Sequence, residues 1–221
     1  MVSPRPWQPP VVVTGFGRCG STMAMAVLRA GGVPWSAGAS PTTGEYESIA
    51  AAAHSITPGR ATKLLIGRRS DTELIAHAAR VHGGIRIVHC VRDHLEQARS
   101  AYTFAVELHL PLEAGERAAV ASMRDSYRRD EPALRRALRK IGSPLEVNYT
   151  TALTDPVGLA ARLAAFLPEY SLDQDAAAAA VHHRSPRNLP GEFVALEITH
   201  GPDAARAAVE AYHPAVRAAA S

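Results

Sequence analysis

The apolar residues of the chain follow two patterns that alternate along its length. Continuous β-branched runs, of which the three valines at 11–13 are the first, predict strands buried on both faces of a parallel sheet. Apolar residues three and four positions apart, such as Leu159, Leu163 and Phe166, predict amphipathic helices. Strands that alternate with helices favour an α/β fold, with a central parallel sheet flanked by helices and ligands at the carboxyl ends of the strands.

The same patterns, together with capping residues, place the individual elements. Strands are predicted from residue 11 and at residues 62–67, 85–91 and 145–149. Helices are predicted at residues 23–30, 45–54 and 113–140, the last of them broken at Pro132. Further helices are predicted to begin at the capping residues Ser70, Asp93 and Asp155. Residues 36–44 are predicted to form a loop over the carboxyl edge of the sheet.

Length and composition favour one domain that spans residues 1–221. Residues 1–10 carry four prolines and are expected to be a flexible lead-in, and residues 185–221 to be a C-terminal tail and helix. The absence of a membrane-spanning run, of a signal peptide and of a disulfide framework leads us to expect a soluble, cytoplasmic protein. A net charge of +3 suits an anionic ligand and does not indicate nucleic acid.

The first predicted strand leads into a glycine-rich turn that opens the next helix. The turn reads Gly15-Phe16-Gly17-Arg18-Cys19-Gly20-Ser21-Thr22. Such a turn forms an anion cradle, because backbone N–H groups and the positive end of the helix dipole converge on one point. The glycine spacing is that of a Walker A phosphate loop, but Ser21 stands where that loop has lysine, and the cation is Arg18. We therefore favour a phosphate-type site over a turn without a ligand.

A second candidate phosphate contact follows the third predicted strand. Arg92 ends that strand, and Ser100 follows eight residues later on the next helix. A guanidinium fork and a hydroxyl both suit a phosphate group. A cysteine phosphatase is excluded, because Glu96 stands where its loop, counted from Cys90, requires arginine. A Walker B strand would end in a magnesium-binding aspartate, whereas here Arg92 precedes Asp93.

Three segments together resemble the bacterial type of the sulfotransferase superfamily, whose donor is 3′-phosphoadenosine 5′-phosphosulfate (PAPS). The loop at 15–22 is similar to its 5′-phosphosulfate loop, and Arg92, Asp93 and Ser100 to its 3′-phosphate motif. A third stretch also resembles the family: Val147-Asn148-Tyr149, Leu153-Thr154-Asp155-Pro156 and Phe166-Leu167. The chain departs from the family pattern at Gly17, Cys19, His94, Thr150 and Thr151. The resemblance implies a single P-loop-type domain that binds PAPS.

The resemblance also implies roles for individual residues. The nucleotide would be bound by Gly17, Arg18, Cys19, Gly20, Ser21, Thr22, Arg92, Ser100 and Tyr149, and by Arg184 or Arg187 at the 3′-phosphate. Arg18 would stabilise charge on the bridging oxygen. Lys63 resembles a lysine on the second strand of many members and would reach the transferring sulfonate. Glu47 fits the acceptor's general base best, Glu45 is second and His54 third. Alternatively, Lys63 is a surface lysine at a strand end, and the two carboxylates are solvated helix residues.

The sequence therefore predicts transfer of a sulfuryl group from PAPS to a hydroxyl of a small-molecule, carbohydrate or lipid acceptor. Adenosine 3′,5′-bisphosphate would be the product, and no metal would be required, since the phosphate is already a good leaving group. Adjacent histidines at 182 and 183 are poor evidence for a metal site. The alternatives are a small-molecule or nucleotide kinase, and a non-catalytic domain that binds a nucleotide or sulfated ligand. We expect no nucleic-acid partner and no integral membrane segment, and we leave a homo-oligomer open.

Overall fold

A four-stranded parallel sheet forms the centre of the described part of the chain. The computed structural model describes residues 7–36, 54–67, 69–107 and 115–182. The strands are β1 (Val11–Gly15), β2 (Ala61–Leu65), β3 (Arg86–Val91) and β4 (Leu145–Asn148). Their order across the sheet is β2-β1-β3-β4, and all three neighbouring pairs are parallel. The predicted α/β fold with a central parallel sheet is confirmed.

Helices cover both faces of this sheet. They are α1 (Ser21–Ala30), α2 (Arg69–Val81), α3 (His94–Glu107), α4 (Glu116–Ile141), α5 (Tyr149–Thr154), α6 (Pro156–Phe166) and α7 (Gln174–His182). Val11 and Val13 pack with α1, α5, α6 and α7 in one core, whereas Val12 packs with α2 and α4 in the other. Helix α3 packs along α4. Because β1 is hydrogen-bonded on both sides and covered on both faces, its sequence is a continuous run of valines.

Two of the predicted helix starts are confirmed by their side-chain caps. The Oδ1 atom of Asp93 accepts hydrogen bonds from the amides of Leu95 and Glu96, both at 3.0 Å. Asp155 accepts from the amide of Gly158 at 2.8 Å, at the start of α6. These carboxylates satisfy amide groups that have no partner inside the helix, which fixes where α3 and α6 begin.

Two other predictions about the helices are wrong. Helix α2 begins at Arg69, so Ser70 lies inside its first turn and is not its N-cap. Helix α4 runs through Pro132 without a break. A proline inside a helix costs about 3 kcal/mol, but Leu134 and Leu138 of the same helix are buried in the core. Burial of this apolar face outweighs the local cost, as is usual for helices in proteins.

Several predicted segments lie outside the described residues. They are the loop at 37–44, almost all of the helix at 45–54 and the tail at 185–221.

Over the ranges that the structure describes, no helix combines the length and the apolar character needed to cross a lipid bilayer.

Candidate functional site

The strand order creates a crevice between the carboxyl ends of β1 and β3. From β1 the chain continues to β2 on one side, whereas from β3 it continues to β4 on the other. Such a switch point is where open α/β sheets bind their ligands. The glycine-rich loop follows β1, and Arg92 follows β3. The fold therefore brings the two predicted phosphate motifs to the same crevice.

The backbone of the loop presents amide donors that pair with no described backbone oxygen. Cys19 donates its amide to the carbonyl of Phe16 at 3.3 Å, but no described backbone oxygen accepts from the amides of Gly17, Arg18 or Gly20. Arg18 and Gly20 have φ angles of 67° and 97°, and Gly20 caps α1 without a side-chain hydrogen bond. Free amides in such a turn, at the positive end of a helix, form an anion-binding concavity.

Arg18 connects the loop to helix α3. Its Nε donates a hydrogen bond to the Oγ of Ser100 at 3.2 Å. Its guanidinium also lies over the ring of Phe104, 4.7 Å from the ring centre. Ser100 and Phe104 are one helical turn apart, so they form one face of α3. The structure thus places Ser100 in direct contact with the loop cation.

Arg92 is held on the other side of the loop by Tyr149. Its guanidinium lies 4.5 Å from the centre of the Tyr149 ring, and its Nε lies 3.4 Å from a carboxylate oxygen of Glu96. Tyr149 in turn packs against Gly20, where a Cβ atom would lie only 2.5 Å from the tyrosine Cδ2. Gly20 therefore cannot be replaced without moving Tyr149, and the predicted contacts Gly20, Arg92 and Tyr149 form one continuous group.

Lys63 is a buried residue of the site. Its side chain is 3% exposed, and its Nζ donates to the Oγ1 of Thr22 at 2.8 Å. Lys63 lies at the midpoint of β2, where it pairs with Val13 of β1, and it reaches to the first turn of α1. The alternative of a surface lysine at a strand end is wrong.

Ser21 has a different neighbour from the other predicted contacts. It is 4% exposed, and its hydroxyl and amide help to lower the pKa of the Cys19 thiol. Cys19 is itself buried and interacts with Cys90 of β3. The Ser21 hydroxyl therefore supports the loop from within.

Sequence reasoning missed Gln97. Its amide nitrogen donates to the carbonyl of Gly17 at 2.8 Å, and the residue is only 2% exposed. Gln97 lies three residues before Ser100 and seven before Phe104, on the loop-facing side of α3. The sequence did offer one signal: Gln97 occupies a position on this face of α3 where the helical period predicts a buried apolar residue. Gln97 fixes the outer side of the loop.

A buried polar group lies beside the crevice, between the sheet and α4. The Nε2 of His89 lies 3.4 Å from a carboxylate oxygen of Glu131, which also accepts from Arg135 at 3.0 Å. Burial, aided by the charge of Arg135, lowers the pKa of His89 to about 4. Burial also raises the pKa of the Glu131 carboxyl. His89 is therefore neutral near pH 7.

An open groove of ≈ 420 Å³ borders this group. It is lined by Val91, Arg92, Asp93, His94, Glu131, Arg135, Asn148 and Thr150. Within the described ranges, no three His, Cys, Asp or Glu side chains are grouped closely enough to hold a metal ion. Asp93 uses its Oδ1 to cap α3.

The remaining predicted site residues are not brought to the crevice by any described contact. Glu45, Glu47, Arg184 and Arg187 lie outside the described residues. His54 is described and exposed. The identity of the general base therefore stays a prediction.

Comparison with known proteins adds no relative. No protein-family model matches the chain, and it has no significant match among curated proteins.

Proposed function

We propose that the chain is a single sulfotransferase domain with a P-loop-type phosphate loop. It would transfer a sulfuryl group from PAPS to a hydroxyl of a small-molecule, carbohydrate or lipid acceptor. The observation that carries the proposal is the 3.2 Å hydrogen bond from Arg18 to Ser100. It joins the glycine-rich loop to the segment after β3, so two anion-binding motifs face one crevice.

The chemistry of these residues fits a ligand with two separate phosphate groups. The loop amides, Arg18 and the N-terminus of α1 suit a group at the loop. Arg92 offers a second guanidinium, held against Tyr149 with its side chain 8% exposed. PAPS carries a 5′-phosphosulfate and a 3′-phosphate, and would supply an activated sulfuryl group on a phosphate leaving group. A ligand with one phosphate leaves one of the two motifs unused.

Two cations support catalysis in this proposal. Charge grows on the bridging oxygen as the bond from sulfur to that oxygen breaks, so a fixed cation there helps the transition state more than the ground state. Arg18 lies within the loop, and Lys63 contacts the first turn of α1 through its hydrogen bond to Thr22. We assign the stabilising role first to Arg18 and second to Lys63. Glu47, Glu45 and His54 remain the proposed general bases, in that order.

A specific contact separates this proposal from a kinase. In a Walker A loop the hydroxyl at the position of Thr22 binds Mg²⁺. Here that hydroxyl accepts a hydrogen bond from the Lys63 ammonium group. The Lys63 ammonium group therefore occupies the hydroxyl with which a kinase would bind Mg²⁺. This contact favours sulfuryl transfer over phosphoryl transfer.

The proposal is tested by the number of phosphates that the crevice recognises. We expect adenosine 3′,5′-bisphosphate to bind at least about tenfold more tightly than adenosine 5′-phosphate, since a charge-assisted contact contributes roughly 1.5–3 kcal/mol. Calorimetry measures both dissociation constants. Arg92→Ala should abolish the preference, whereas the control Arg80→Ala, at an exposed position of α2, should retain it. Equal affinities in the wild-type protein would refute the proposal.

A turnover screen completes the test. PAPS consumption is measured against a panel of sugars, phenols and lipids, beside ATP with Mg²⁺ and the same panel. Release of the bisphosphate with an acceptor supports the proposal. Turnover of ATP alone favours the kinase, and tight binding without turnover of either donor favours a binding domain.

A further inference from the structure

The two cysteines of the sequence meet at the base of the glycine-rich loop. Cys19 belongs to the loop and Cys90 to β3, and both thiols are free. Each residue is 1% exposed, both lie in one core cluster, and their interaction lowers the pKa of the Cys19 thiol and raises that of Cys90. The fold thus brings close together two thiols that are far apart in the sequence.

Both cysteines pack against the same point of the backbone. A Cβ atom at Gly15 would lie 2.8 Å from the sulfur of Cys19 and 2.5 Å from the carbonyl oxygen of Cys90. Gly15 has a φ angle of 148°, which favours glycine. The two cysteines also share the core on the α1 face of the sheet. The base of the loop is therefore tightly packed, and a shift of Cys19 must move the loop itself.

Cys19 is flanked by two residues on which the candidate site depends. Arg18 precedes it and contacts Ser100, and Gly20 follows it and contacts Tyr149. A covalent bond holds two sulfurs much closer than a hydrogen bond does. Pulling Cys19 towards β3 would therefore displace the Arg18 guanidinium and the loop amides together.

We propose that Cys19 and Cys90 form a reversible disulfide under peroxide, and that this bond weakens nucleotide binding by the loop. The first part stands on the packing of both cysteines beside Gly15, and the second rests on the proposed function. Because both thiols are buried, the oxidant must be small. We name a hydroperoxide, of which hydrogen peroxide is the smallest. A small-molecule dithiol is the reductant that restores the open loop.

The reaction balances in two steps. The Cys19 thiolate attacks one oxygen of hydrogen peroxide, the O–O bond breaks, and the hydroxide that leaves takes a proton to become water. Cys90 then attacks the sulfur of the resulting sulfenic acid, and a second water leaves as the S–S bond forms. The two thiols lose two electrons and two protons in total. The hydrogen bond from Cys90 lowers the pKa of Cys19, which suits Cys19 to the first attack.

The experiment measures the bond and the binding separately. The full chain is treated with hydrogen peroxide, and its intact mass and its peptides without reduction are recorded. Oxidised protein, reduced protein and oxidised protein treated with dithiothreitol are each titrated with adenosine 3′,5′-bisphosphate. We expect a loss of about 2 Da, a linked peptide with Cys19 and Cys90, and at least about tenfold weaker binding that dithiothreitol reverses.

Two variants make the result specific. Cys90→Ala retains Cys19 but removes its partner, so the bisphosphate affinity should be the same before and after peroxide. Cys19→Ser, which replaces the thiol by a hydroxyl, should show no loss of 2 Da. If either variant does not fold, the other still tests the pairing.

Each outcome decides one part of the proposal. A wild-type protein that gains oxygen without losing 2 Da, or that links neither cysteine, refutes the disulfide. A mapped disulfide with unchanged affinity refutes the control of binding. If the reduced protein binds no bisphosphate, the proposed function fails instead, while the mass and peptide results still decide whether the bond forms.

Discussion

Replacing Arg18 by alanine tests the proposed catalytic cation most directly. The guanidinium is the one charged group inside the glycine-rich loop, and α3 holds it through Ser100 and Phe104. Removing one preorganised donor that acts on developing charge costs about 10²–10³ in kcat. Binding of adenosine 3′,5′-bisphosphate should weaken much less, because the loop amides and Arg92 keep their positions. We therefore expect a loss in kcat that is much larger than the loss in product affinity.

The same substitution has a separate cost in stability. Arg18 loses one hydrogen bond, which contributes about 1 kcal/mol, and one cation–π contact, which contributes about 0.5–1 kcal/mol at a partly exposed site. The free energy of unfolding should fall by roughly 2 kcal/mol. Phe104→Leu is the matched control, since it removes the ring contact and leaves the charge. It should lower the free energy of unfolding by about 0.5–1 kcal/mol and change kcat far less than Arg18→Ala does.

The assay follows release of the bisphosphate from PAPS with any accepted acceptor, or with water where none is found. Arg18→Lys restores a charge without the planar fork, so it should recover part of the lost rate. Urea unfolding at the assay temperature shows that each variant is folded. If folded Arg18→Ala turns over within about threefold of the wild type, then Arg18 is not the catalytic cation. Lys63 would then be the stronger candidate.

Three further predictions concern the supporting residues. Gln97→Met removes the hydrogen bond to Gly17 while keeping a long side chain, so kcat should fall about tenfold and the free energy of unfolding by about 1 kcal/mol; a lower Tm with unchanged kinetics would make Gln97 merely structural. Turnover should persist in EDTA, since Lys63 already engages the Thr22 hydroxyl; loss in EDTA that Mg²⁺ restores would contradict this. The pKa of His89 falls from 6.5 to about 4 on folding, so its contribution to stability is complete above pH 6.5 and is lost as the pH falls through 4. That contribution is roughly 3 kcal/mol, partly offset by the raised pKa of Glu131. In urea unfolding at several pH values, His89→Gln should make the free energy of unfolding depend less on pH; equal pH slopes in the two proteins would rule out this role of His89.

Local rules predicted the sheet and part of the capping. The valines of β1 and the aspartates Asp93 and Asp155 act within a few residues, so the sequence states them directly. The exceptions have physical reasons. Pro132 is tolerated because Leu134 and Leu138 bury the same helix in the core, and burial depends on contacts far away in the chain.

The site was predictable only to the extent that topology sets it. Glycines after β1 and an arginine after β3 must share an edge once the sheet is parallel, so that juxtaposition could be foreseen. The partners within the site could not. Gln97 meets Gly17, and Lys63 meets Thr22, across distances in sequence that no periodicity encodes. The same limit hid the contact between Cys19 and Cys90.

The distribution of charge around Thr22 gives a physical reason for the missing Walker lysine. A Walker A loop uses its own lysine for the terminal phosphates and its hydroxyl for Mg²⁺. Here position 21 is a buried serine, which carries no charge. One cation comes instead from Arg18 inside the loop, and another from Lys63 on β2. Arg18 is fixed by its hydrogen bond to Ser100 of α3, and Lys63 by its hydrogen bond to Thr22 of α1, so their geometry does not depend on a metal ion. A neutral transferred group, such as a sulfuryl group, needs less positive charge around it than a phosphoryl group does. The two fixed cations Arg18 and Lys63 are consistent with that smaller requirement.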